Sequence, residues 1–196
     1  TLTVHDRKVY AVTAESWVCA YDADTGEPLW SRPLDEQYRE GRPLAINQTP
    51  PVPTRHGLLV SDWQTPQYLL DWKTGEELAR LDGNVGYYAA FATVFGDVLF
   101  CARRGGSLAM QIPSGKTLWS QDESSRSTSA GIVAGDKFVY ASQSGVKAVN
   151  AKTGEPIWES SVANNGYQKP IPVIWGDLVL ANGAAFTALN LATGEP

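Results

Sequence analysis

Apolar and polar positions alternate along this chain in short runs, and each run ends in a polar turn. The clearest section lies between residues 130 and 160. Ala130 to Ala134, Lys137 to Ser142, Val146 to Asn150 and Pro156 to Ser160 read as four strands of about five residues, because a two-residue period is that of a half-buried strand. Gly135-Asp136 separates the first pair, a loop around Ser144-Gly145 the second, and Asn150-Ala151-Lys152-Thr153-Gly154-Glu155 the third. The last of these reads as a hairpin loop closed by a left-handed residue, which Gly154 adopts without steric cost. Asn150 is placed to hydrogen-bond the turn's own backbone, and Thr153 to do so more weakly. Trp158, four residues beyond the glycine, carries an apolar surface that must find cover.

The unit recurs. Asp22-Ala23-Asp24-Thr25-Gly26-Glu27-Pro28-Leu29-Trp30 is the first copy, and Asp71 to Ala79 the second, with Ala79 where Trp should stand. Gln111 to Trp119 is the third, with Gln111 in place of Asp, and Asn190 to Pro196 the fifth. The turn glycines Gly26, Gly75, Gly115, Gly154 and Gly194 are 49, 40, 39 and 40 residues apart. A second series, Gly57, Gly96-Asp97, Gly135-Asp136 and Gly176-Asp177, is read in register with them at spacings of 39, 39 and 41. Two punctuation marks on one period identify a repeat array.

Four strands on a period near 40 predict an all-β fold, a β-propeller of four-stranded antiparallel blades with about five blade repeats present. The register sets the blades at 1–34, 49–83, 90–122, 129–162 and 169–196, the last without its outermost strand. Alternating strand direction puts the Gly-Asp and Thr-Gly turns on one tight face. The opposite face receives the variable segments: Pro33 to Gln48, Asp62 to Gln67, Gly83 to Tyr88, Arg103 to Ser107, Gln121 to Thr128 and Ser161 to Lys169. Loops on a rigid scaffold are where binding usually resides.

Composition sharpens this picture. Seven Trp and eight Tyr against one Met suit packed strands. A net charge of −5 argues against a nucleic-acid partner. The uncharged run from Gly86 to Gly96 is too short to span a membrane, so no transmembrane segment is expected. Cys19 and Cys101 each fall within a strand, two blades apart, and read as separate buried small hydrophobes. His5 and His56 are isolated and no zinc spacing exists, so no metal site is expected.

The pattern Ala-x-[Asp/Asn]-x-x-Thr-Gly-Glu-x-x-Trp, in Ala20 to Trp30 and Ala148 to Trp158, resembles the repeat of pyrroloquinoline-quinone (PQQ)-type β-propellers, as does Gly135 to Tyr140. The resemblance covers nearly the whole chain. It implies that Trp30, Trp119 and Trp158 wedge between adjacent blades with a Thr-Gly turn beside each. WD40 repeats share the period, but their Gly-His and Trp-Asp signatures are absent.

Quinone dehydrogenases that resemble this repeat hold PQQ with calcium or a lanthanide and commonly carry a disulfide between adjacent cysteines. No adjacent pair occurs here, and no catalytic residue or cofactor is expected. Asp35, Glu36 and Glu40, mixed with Arg39 and Arg42, read as a solvated loop. No Gly-x-Ser-x-Gly elbow or phosphate loop is present. Aromatic residues of the variable face offer binding surface at low entropic cost. Tyr38, Trp63, Tyr87, Tyr88 and Tyr167, with Arg103, Arg104, Asn164 and Asn165, form the candidate ligand- or partner-binding set.

The resemblance therefore implies a binding or scaffolding module of an exported bacterial or archaeal protein, periplasmic, envelope-bound or extracellular. An envelope assembly factor or a surface-protein domain would fit. The alternative is a fragment of a PQQ-dependent dehydrogenase using PQQ with calcium, or a propeller appended to a catalytic domain outside this chain. Thr193-Gly194-Glu195-Pro196 calls for an apolar residue and a Trp next, and Thr1 to Val4 already reads as the inner strand of the first blade. The expectation is a seven- or eight-bladed propeller of which this is a part. Its open blade flanks would be covered by the rest of a longer chain, another copy or a protein partner.

Overall fold

The computed structural model describes residues 2–13, 17–34, 50–60, 67–81, 92–103, 106–122, 131–142, 144–161, 172–182 and 185–196. Among them are nineteen strands and no helix. They form five antiparallel sheets, each in chain order. The first holds β1 (Leu2–His5), β2 (Lys8–Val12), β3 (Trp17–Asp22) and β4 (Pro28–Pro33). The second holds β5 (Val52–Thr54), β6 (Gly57–Val60), β7 (Gln67–Leu70) and β8 (Glu77–Leu81). The third is β9 (Ala92–Phe95), β10 (Val98–Arg103), β11 (Gly106–Gln111) and β12 (Thr117–Asp122). The fourth is β13 (Ile132–Ala134), β14 (Lys137–Ala141), β15 (Val146–Asn150) and β16 (Pro156–Ser160). The fifth has three strands, β17 (Val173–Trp175), β18 (Leu178–Asn182) and β19 (Phe186–Asn190).

Two compact units divide the chain, residues 1–84 with 112–115 and residues 85–111 with 116–196. In the first, one face of sheet one packs on sheet two. Tyr10, Val12, Val18 and Ala20 meet Leu58, Val60, Tyr68 and Leu70 in one buried cluster. The other face of sheet one leaves Leu2 and Val4 exposed. In the second unit, Phe100, Ala102 and Ala109 of sheet three meet Phe138, Tyr140 and Val149 of sheet four. The reverse face of sheet four, Val139, Val146 and Ala148, packs on Val179, Ala181 and Leu189 of sheet five. Strand β14 thus sends alternate residues to two neighbours, which explains the continuous apolar run from Phe138 to Ala141. The outward face of sheet five exposes Val173, Trp175 and Phe186.

The first turn series needs one correction. Gly57 does not sit with Gly96, Gly135 and Gly176 in the turn between the first two strands of its sheet. Thr54 pairs Gly57 across a turn made by Arg55 and His56, as Ala134 pairs Lys137 across Gly135-Asp136. Gly57 therefore stands two positions later, at the start of β6. A Cβ there would lie 2.5 Å from the Leu70 carbonyl oxygen, so close backbone approach is what this glycine serves. Cys19 and Cys101 are both buried, in β3 and β10.

Candidate functional site

The repeated turn is built as its residues dictate. Asn150 Oδ1 accepts from the Lys152 and Thr153 amides at 2.9 and 3.1 Å, and Thr153 Oγ1 accepts from the Glu155 amide at 3.3 Å. Asp22, Asp71 and Asn190 do the same in their own turns. Backbone amides of Thr25 and Asp24 hold the Asp22 carboxyl below its usual range, and those of Thr74 and Lys73 act likewise on Asp71. A register shift precedes the turn by two residues in each four-stranded sheet, at Ala20, Leu69, Ala109 and Ala148. The cross-strand partners of these four residues are Trp30, Ala79, Trp119 and Trp158.

Each Trp reaches into the turn of the next sheet. Trp30 Nε1 donates to the Trp72 carbonyl at 3.2 Å, Trp119 Nε1 to the Ala151 carbonyl at 2.9 Å, and Trp158 Nε1 to the Leu191 carbonyl at 3.0 Å. The indole lies flat against the turn glycine. A Cβ on Gly75, Gly154 or Gly194 would come within 2.5, 2.7 or 2.6 Å of a ring atom, and φ there is between 74° and 77°. Glycine is required twice over, by backbone conformation and by the ring. Gly75, Gly154 and Gly194 are buried beneath their indoles, while Gly26 is exposed with nothing within 4 Å of its would-be Cβ. Trp119 is buried, and Trp30 and Trp158 are partly so.

Two residues after the Trp, a long polar side chain completes the seat. Arg32 donates to the Gly75 carbonyl at 3.3 Å and to Glu77 Oε2 at 2.8 Å; Gln121 donates to the Gly154 carbonyl at 3.0 Å. Tyr10 Oη adds a second donor to the Trp72 carbonyl at 3.2 Å, and the His5 ring stacks on Trp72 with centroids 4.6 Å apart. Sequence reasoning missed Arg32, Gln121, Tyr10, His5 and Trp72. Their signal was a polar side chain two positions past the Trp, and an aromatic residue just after the turn's Asp.

The turns crowd one face of each sheet. Ala23, Ala151 and Leu191 donate their amides to the Arg7, Asp136 and Asp177 carbonyls at 2.7–2.9 Å, tying the Thr-Gly turns of sheets one, four and five to the first turn of the same sheet. The opposite ends of the strands lead to the variable segments. Tyr38, Trp63, Tyr87, Tyr88, Arg104, Asn164, Asn165 and Tyr167 lie outside the described residues, as do Asp35, Glu36, Arg39, Glu40 and Arg42. Arg103 closes β10 opposite Gly106. At the same end of sheet four, Ser142 and Ser144 hydroxyls lie 2.9 Å apart, and Ser144 donates to Glu159. No group of three His, Cys, Asp or Glu among the described residues is placed to hold a metal ion. No two cysteines are adjacent in the sequence, and no quinone step is derived.

The family described as outer membrane protein assembly factor BamB matches residues 63–196, and the chain belongs to it. No curated protein gives a significant sequence match. Among solved structures, BamB from Moraxella catarrhalis superposes with a TM-score of 0.69 at 20% identity, over 96% of this chain and 56% of that one. The computationally designed protein Ika8 gives 0.74 at 17% identity, over 99% and 58%. Quinohemoprotein alcohol dehydrogenase from Comamonas testosteroni gives 0.68 at 14%, over 99% and 41%. The fold is thus that of a β-propeller, and the chain spans a little over half the length of the BamB structure it resembles.

Proposed function

We propose that this chain is a non-catalytic binding and scaffolding module of an exported bacterial or archaeal envelope protein, serving outer membrane protein assembly by holding a protein partner. Membership of the BamB family over residues 63–196 carries the reading. The structure supports it through the division of labour between faces. One end of each sheet is committed to hydrogen-bonded turns, which leaves the loop end for recognition. Tyr38, Trp63, Tyr87, Tyr88, Arg103, Arg104, Asn164 and Tyr167 are the proposed contacts. The apolar flank of sheet five, with Trp175 and Phe186 each 70% exposed, is proposed to be covered by further blades, another copy or another chain. The periplasmic side of the envelope is the proposed location.

Photo-cross-linking in envelope membranes tests this. A cross-linking residue at Tyr87 or Tyr167 should capture an outer-membrane assembly protein, and one at Lys152, in a Thr-Gly turn, should not. Capture through Lys152 alone would overturn the face assignment. Dye-linked alcohol oxidation after incubation with PQQ and calcium would replace this reading with the enzymatic one.

A further inference from the structure

No further inference is drawn: the strongest candidate, the outward face of sheet one with Leu2 and Val4 exposed and the open Gly26 turn, is an unpartnered apolar face, and nothing in the structure shows what covers it.

Discussion

Trp119 and Ala79 occupy the same place in the repeat and solve it differently. Trp119 stands opposite Ala109, is buried, donates to the Ala151 carbonyl at 2.9 Å and roofs Gly154. Ala79 stands opposite Leu69, and Gly115 is left partly exposed. Each cross-strand pair thus sets one small residue against one large one, Ala109 against Trp119 and Ala79 against Leu69. Over Gly75, Gly154 and Gly194 the glycine's cover is the indole of the preceding sheet.

Removing the indole should have the largest effect. Trp119→Ala is expected to cost about 3–5 kcal/mol in a denaturant titration. Trp30→Ala and Trp158→Ala, with rings partly exposed, should cost less. A loss below about 1 kcal/mol at Trp119 would mean that the junction does not depend on the ring.

The pair-volume idea is tested in sheet two. Leu69→Ala should cost about 2–5 kcal/mol, because it leaves two alanines facing each other. Adding Ala79→Trp should recover most of that loss, giving a favourable coupling in the double-mutant cycle. Additive losses would show that the two residues do not share one space.

Glycine substitutions separate ring from backbone. Gly26→Ala, with nothing within 4 Å of its would-be Cβ, should cost about 1–2 kcal/mol for the left-handed conformation alone. Gly154→Ala carries the same strain plus a Cβ within 2.7 Å of Trp119 ring atoms, so it should lose about 1–3 kcal/mol more. Equal losses at the two sites would erase the distinction drawn here.

The smallest effect is a pH dependence of the turns. Asp22 and Asp71 are held below the ordinary carboxylate value near 3.9 by backbone amides. Their contribution is therefore present above that value and is lost as pH falls through the lower folded value. Asp22→Asn/Asp71→Asn, which copies the Asn of the fourth and fifth turns, should flatten the acid limb of the stability–pH curve. An unchanged acid limb would mean that these carboxylates titrate alike folded and unfolded.

Much of this fold was legible because its determinants are local. The Asn150 side chain, Thr153 and Gly154 specify their turn within six residues, so spacing alone located it. Gly57 misled because sheet two makes its first turn with Arg55 and His56, which carry no glycine signal; the next glycine borrowed the register. The Arg32 and Gln121 contacts run to the following sheet, more than 30 residues away, and periodicity does not report which polar side chain crosses such a gap. The exchange of Trp for Ala79 was visible as a departure. Its partner Leu69 was not, because cross-strand pairing depends on register. The loop face was readable only as a location.

Ala151 sits on a surface turn, yet both of its backbone groups are engaged. Its amide holds the Asp136 carbonyl of its own sheet, while its carbonyl receives Trp119 from the sheet before. Leu191 is engaged in the same way, through Asp177 and Trp158. Releasing either amide to water means loosening a neighbouring blade as well. In hydrogen exchange these turn amides should therefore behave as members of the slow, cooperative core, with Ala23, whose amide is tied only within its own sheet, exchanging ahead of them.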